Sequence, residues 1–181
     1  MKKLNFGCGT DYKEGWINAD IDKNVKADVY INRNKRRYPF KDNEFDLIML
    51  KMVLEHVDSP LHVLEELWRI SKKGAKIIIE VPHWSSYLQY TDLTHRHAFS
   101  LLSFHYFERN SPKYYSDFAD FKILSKKCKT FRTNNKFWKP YEWLCKYVLE
   151  AILNANHLVT EQILCKFLPV NEIDFVLEVK K

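Results

Sequence analysis

The sequence predicts an α/β fold built on a mostly parallel, seven-stranded sheet with helices on both faces. Residues 45–50 (FDLIML) and 76–81 (KIIIEV) are apolar almost throughout, the pattern of strands covered on both sides. A helix with signals at both ends lies between them. Strand, helix, strand in that order makes a right-handed crossover between parallel neighbours. The chain has 181 residues, 46% of them apolar and 15% aromatic, enough to bury the core of a single domain spanning 1–181.

The elements follow in order. Lys3–Phe6 is a short apolar run halted by Gly7 and reads as the first strand. Residues 16–21 read as the second, 28–31 as the third, and 45–50 and 76–81 as the fourth and fifth. In the helix between the last two, Ser59 is an N-cap and Pro60 takes the first helical position. Leu61, Leu64, Leu67 and Trp68 recur at spacings of three and four. Lys72 and Lys73 stand where the helix dipole favours cations, and Gly74 supplies the stop. The strand, helix, strand order makes the class Rossmann-like, and the short link from first to second strand leaves room for only an abbreviated first helix. Residues 82–118 form an insert dense in aromatics and His, with a short helical stretch near 101–107. Residues 121–131 read as a strand, 141–167 as helix broken near 154–157, and 173–179, after Pro169, as the last strand.

Composition excludes several classes. Four Gly and six Pro exclude collagen-like and low-complexity chains, and the apolar content excludes a disordered tail. No apolar run approaches the ~18–20 residues of a membrane-spanning helix, and none follows the initial MKK, so a cytoplasmic protein without a signal peptide is expected. Cys8, Cys128, Cys145 and Cys165 lack the spacing of a disulfide framework or a zinc site. With 29 Lys+Arg against 23 Asp+Glu the net charge is +6. Arg33, Lys35, Arg36, Arg37 and Lys41 cluster, and seven cations without an acid fall between Asp120 and Glu142. Such patches either attract anionic groups or form solvated loops.

The chemistry begins at FGCGT, where Gly7 and Gly9 let backbone approach a ligand at the carboxyl end of the first strand. A dinucleotide fingerprint needs a third glycine, and Tyr12 stands there; no G-K-[ST] follows to make a P-loop. Asp20 ends the second strand, where a carboxylate accepts ribose hydroxyls. Only about ten residues separate Gly9 from Asp20, too few for pyrophosphate machinery. A nucleoside without phosphates suits this arrangement, and S-adenosylmethionine is the common one.

These residues also carry a resemblance. LNFGCGTDYKEGWINADID resembles the first motif and second strand of the small class I, type 11-like S-adenosylmethionine-dependent methyltransferases. YPFKDNEFDLIMLKMVLEHV and LWRISKKGAKIIIEVPH are similar to the fourth- and fifth-strand regions of that family, so the likeness covers residues 3–83. PHWSSYLQYTDLTHRHAFS resembles a subgroup associated with saccharide and cell-surface polysaccharide modification. The resemblance implies that Gly7, Cys8 and Gly9 line the methionine end of the cofactor and that Asp20 holds the ribose. It implies that Ile21 packs on the adenine, that Leu50, Lys51 and Met52 flank the methyl-sulfonium, and that His56 sits near the cofactor's edge. The chain departs from the family at Asn32, where an Asp usually meets the adenine amino group, and at Lys73-Gly74-Ala75 in place of Pro-Gly-Gly. An amide oxygen at Asn32 can still accept that hydrogen bond.

An alcohol acceptor needs a base. The insert offers His83, Asp92, His95 and His97. His95 is the favoured base, with Asp92 as its orienting partner or as a substrate-hydroxyl ligand, and His83 is the second candidate. No ligand triad is spaced for a metal in the sequence, so none is assigned. Trp84, Tyr87, Tyr90, Phe99, Phe104, Tyr106 and Phe107 either form an acceptor pocket or pack the insert on the sheet. The leading expectation is O-methylation of a saccharide or related small metabolite, with the cations at 33–41 meeting a phosphate if the acceptor bears one. Two alternatives stay open. The basic stretch 122–139, with Phe131, Phe137 and Trp138 interleaved, suits a nucleic-acid methyltransferase, although no Asn/Asp-Pro-Pro-aromatic motif is present. A non-catalytic S-adenosylmethionine-binding module is the other. The absent third glycine counts against a nicotinamide-dependent reductase.

Overall fold

The computed structural model describes residues 1–109, 111, 119–130, 136–168 and 170–181. The strands are β1 (Lys3–Phe6), β2 (Ile17–Asp20), β3 (Val29–Tyr30), β4 (Phe45–Lys51), β5 (Ser71–Pro82), β6 (Asp120–Lys129) and β7 (Glu172–Lys180). They form one sheet in the order β3-β2-β1-β4-β5-β7-β6. Neighbours among β1 to β5 pair in parallel, whereas β7 runs antiparallel to both β5 and β6. The mixed, mostly parallel α/β architecture read from the sequence is therefore the one found.

The core lies along the centre of this sheet. Ile48, Leu50, Ile77, Ile79 and Val81 are completely buried, as the unbroken apolar runs required. β7 instead alternates, with Ile173, Phe175, Leu177 and Val179 buried and the residues between them half-exposed. Phe175 meets the insert's Phe104 edge-on at 4.5 Å, and Phe107 meets Phe121 of β6 at 5.9 Å. Each fully buried side chain of this size contributes roughly 1.5–3 kcal/mol. Phe99, Phe104 and Phe107 thus pack the insert onto the sheet, while Tyr87 and Tyr90 stay exposed.

Helix α1 (Pro60–Ile70) starts as its sequence signals: Ser59 Oγ accepts the His62 N–H at 3.3 Å. Its buried face is Val63, Leu64, Leu67 and Ile70, and Leu61 faces solvent. The end of α1 differs from the expectation. Ser71, whose N–H bonds back to Leu67 O and Trp68 O, already begins β5. Lys72 reaches across to Asp46 of β4 at 2.9 Å, answering a carboxylate and not the dipole. Gly74, with φ +75°, lies where β5 slips register against β4, between the pairs Phe45–Ser71 and Leu47–Lys76.

The abbreviated first helix is absent, its place taken by turns between β1 and β2. Parallel strands ordinarily need about a dozen residues to cross over through a helix, and this link is shorter. Among the described residues the further helices are α2 (Leu88–Thr91), α3 (Lys139–Leu144), α4 (Glu150–Ala155) and α5 (His157–Gln162), with 3-10 turns at Leu54–His56, Ser103–Phe107, Lys136–Trp138 and Leu164–Lys166 and a π turn at Cys145–Leu149. The expected break falls at Asn156, whose Oδ1 accepts from the Leu158 and Val159 amides and caps α5. Residues 112–118 of the insert, Phe131 and Pro169 lie outside the described residues. Among the described residues no helix is long and apolar enough to cross a membrane.

Candidate active site

The carboxyl ends of β1, β2 and β4 converge on one hollow, the place where open parallel sheets bind ligands. The bend after β1 is fixed by backbone: the Gly7 and Cys8 amides both donate to Ala19 O of β2, at 2.8 and 3.1 Å. Gly7 is there for two reasons. Its φ is +74°, and a Cβ on it would stand 2.3 Å from Val53 Cγ2. The Gly9 amide donates to Asp20 Oδ2 at 2.7 Å, and Asp22 N–H to Asp20 Oδ1 at 2.9 Å. Each carboxylate oxygen keeps a second lone pair for a ligand.

The cavity holds about 350 Å³, within the range of small-molecule sites. Gly7, Cys8, Gly9, Asp20, Ile21, Lys51, Met52 and His56 all belong to its wall. All eight were named for the cofactor from the sequence. Leu50 is not brought to this wall; it is wholly buried in the core. Asn32 is exposed and lies outside the lining, its Oδ1 accepting the Asn34 amide at 2.9 Å. The adjacent Ile31 and Arg33 line the cavity instead. Arg33 was visible in the sequence only as one cation of a charged loop.

Met52 has φ +51°, a left-handed conformation that costs a non-glycine residue free energy, and its amide donates to Glu80 O at 2.9 Å. Lys51 Nζ stands 3.2 Å from Glu80 Oε1, and Lys129 Nζ 2.7 Å from Oε2. Burial alone would raise the Glu80 carboxyl, but the bonds from Lys129 and Lys51 outweigh it and hold the group below its usual range. Cys8 moves the other way, its thiol pushed up by burial and then by Asp20. All four cysteines are buried and unlinked.

The insert closes on the turn Leu54–His56 that follows β4. Arg96 N–H donates to Glu55 O at 2.7 Å, and His97 Nε2–H to Val57 O at 3.0 Å. His95 lies next to the cavity wall without lining it, its ring 4.6 Å from that of His56. Its Nδ1–H donates to Gln89 O at 3.0 Å, which leaves Nε2 with a lone pair. Asp92 meets His95 through its backbone, its carbonyl accepting the His95 amide at 3.2 Å. Its Oδ1 accepts the Thr94 hydroxyl at 2.8 Å, and Thr94 Oγ1 accepts His56 Nδ1–H at 2.8 Å. Asp92 therefore orients His56 through Thr94. Burial, then His95, keeps His56 below the usual imidazole range, hence neutral at pH 7.

His83 is held elsewhere. It is fully buried; Nδ1 accepts from the Ser85 hydroxyl at 2.6 Å, and Nε2–H donates to Glu161 Oε1 at 3.2 Å. Glu161 also accepts Trp84 Nε1–H at 2.9 Å and the Leu101 amide. Both ring nitrogens are spent on a network that ties the insert to α5, and His83 does not line the cavity.

A family model described as a methyltransferase domain matches residues 4–79. Uncharacterized protein MJ1123 of Methanocaldococcus jannaschii is 44% identical over 87 residues, which is 48% of this chain and 41% of that protein. A demethylmenaquinone methyltransferase of Bacillus cereus is 31% identical over 74 residues, 39% of this chain and 31% of that enzyme. The match thus spans less than half the length of these curated relatives. Among solved structures, a SAM-dependent methyltransferase from Archaeoglobus fulgidus superposes with a TM-score of 0.54 at 16% identity, over 98% of this chain and 85% of that one, a likeness of fold. The matched segment carries the glycine bend, Asp20 and the end of β4, so residues 4–79 are similar to a methyltransferase domain, on a fold shared with a SAM-dependent methyltransferase.

Proposed function

We propose that this chain moves the S-adenosylmethionine methyl group to an oxygen of a small-molecule acceptor, a saccharide or related metabolite. The observation that carries the reading is the cavity itself. A glycine bend and the Asp20 carboxylate line it together with His56, whose ring lies 4.6 Å from that of His95. In the proposal Asp20 takes the ribose hydroxyls, Gly7 and Gly9 admit the methionine end, and Lys51 and Met52 flank the reacting centre. The bound cofactor supplies an electrophilic methyl on a sulfonium, and the chain's task is alignment and exclusion of water. The acceptor's proton passes to the free Nε2 lone pair of His95, beside His56, which Thr94 and Asp92 hold in its tautomer. Tyr87 and Tyr90, exposed in the same insert, offer rings on which a sugar face can stack.

The relative named a demethylmenaquinone methyltransferase supports a small-molecule acceptor. The test is transfer of a labelled methyl group to a panel of mono- and oligosaccharides, a quinol and RNA. Transfer to a hydroxyl acceptor, reduced about 100-fold or more in His95→Ala while cofactor affinity holds, supports the reading. Transfer to RNA alone favours the nucleic-acid alternative. Cofactor binding without transfer to any acceptor favours a binding module.

A further inference from the structure

Glu55 is the one acid in the insert-facing turn after β4, and its side chain is wholly buried. Both carboxylate oxygens lack a hydrogen-bond partner. Among the described residues no Lys or Arg lies within ion-pair distance of it, and His56 Nε2 stands 3.9 Å from Oε1. A buried carboxylate with nothing to bind is costly to keep ionised. One ligand atom each from Glu55, His56 and His95 falls within 4.8 Å of the others. We infer that these three side chains hold a divalent first-row transition ion at the edge of the cofactor cavity.

Three further observations support this. The Nδ1 atoms of His56 and His95 are committed to Thr94 Oγ1 and Gln89 O, so both Nε2 atoms carry the lone pairs a metal needs. Hydrogen bonds from the far ring nitrogen to a carbonyl, or to a hydroxyl backed by a carboxylate, are the usual second support of metal-binding histidines. A second cluster, His83, Glu161 and Cys165, is equally close-set but internally satisfied, with both Glu161 oxygens accepting bonds. Among the described residues, the Glu55 cluster is the one of the two whose carboxylate oxygens have no hydrogen-bond partner. Three atoms no more than 4.8 Å apart leave a point within about 2.8 Å of each, so an inward shift of under ~1 Å reaches the ~2.0–2.2 Å of bonded Zn²⁺. Two imidazoles and one carboxylate suit zinc, iron(II), cobalt or manganese better than magnesium or calcium.

Three protein ligands leave coordination positions open. With the methyl-transfer reading, on which this step alone rests, an acceptor hydroxyl bound there would lose its proton more readily; with both Nε2 lone pairs on the ion, that proton would pass to solvent water and not to a histidine. Ion binding itself stands apart from that reading. The experiment is titration of chelator-stripped protein with Zn²⁺ by calorimetry and with Co²⁺ by visible absorption. One ion per chain is expected, with affinity at least 100-fold weaker in the Glu55→Gln, His95→Ala double variant. If that variant unfolds, Thr94→Val, which frees the His56 ring, is expected to weaken binding about 10- to 100-fold. Asp20→Ala is expected to lose the cofactor and keep the ion, so the two readings fail separately. Folded wild-type protein that binds neither ion, or binding unchanged in both Glu55→Gln, His95→Ala and Thr94→Val, overturns the assignment.

Discussion

The carboxylate of Asp20 accepts the Gly9 amide at 2.7 Å, so the end of β2 and the bend after β1 are held as one unit. That bond sets the acid facing the glycine turn across a gap lined by backbone. It also explains why a two-glycine bend suffices here. The Gly7, Cys8 and Gly9 amides are held by Ala19 O and Asp20 Oδ2, and a Cβ at Gly7 would press on Val53.

The first prediction concerns that pressure. Gly7→Ala is expected to cost about 1–3 kcal/mol, because the new Cβ meets Val53 and the residue must keep a positive φ. Gly9→Ala, with open space around its Cβ, carries only the backbone term of about 1 kcal/mol. Thermal melting of the two variants checks the order; equal losses would mean that Val53 moves aside freely.

A second prediction follows acid. Glu66 accepts Arg69 Nε–H at 2.7 Å and the buried Tyr38 amide at 2.7 Å. Burial alone would raise its pKa, but these bonds outweigh it, and the carboxyl lies below its ordinary value. A carboxyl depressed by folding stabilises the protein above its unfolded pKa near ~4.3, and that stability drains away as pH falls through the folded value. Glu66→Gln is therefore expected to lose about 1–3 kcal/mol at pH 7. The gap from wild type should narrow below pH ~4. Urea unfolding at both pH values measures this; a gap that widens in acid would reverse the sign.

The third prediction separates His83 from the chemistry. Glu161→Ala leaves His83, Trp84 Nε1 and the Leu101 amide without their acceptor, at a cost of about 3 kcal/mol. Cofactor affinity should stay within about twofold of wild type, since neither residue lines the cavity. A folded Glu161→Ala protein with lost cofactor affinity would place that network in the site after all.

Local signals were legible in the sequence where the physics is local. The Ser59–Pro60 start of α1, the break at Asn156 and the apolar runs of β4 and β5 each depend on a few neighbours in the chain. The cavity's glycines and Asp20 were readable because a parallel sheet fixes where strand ends meet. What escaped depends on distant partners. Gly74 looked like a helix stop because Asp46, which draws Lys72 into β5, lies 26 residues away. His83 looked free because Glu161 is 78 residues away. Asp92 looked like the partner of His95, yet Thr94 turns it toward His56. Arg33 took the lining position expected for Asn32, one residue further along the chain after β3.

Calorimetric titration of S-adenosylmethionine into the wild-type chain and into Asp20→Ala tests the central claim most directly. One-to-one binding is expected for the wild type. A loss of about 100-fold or more is expected for the variant, since two hydrogen bonds to a charged carboxylate disappear. A wild-type chain that releases no heat and shows no thermal shift with the cofactor, or an Asp20→Ala protein that binds it equally well, would contradict it.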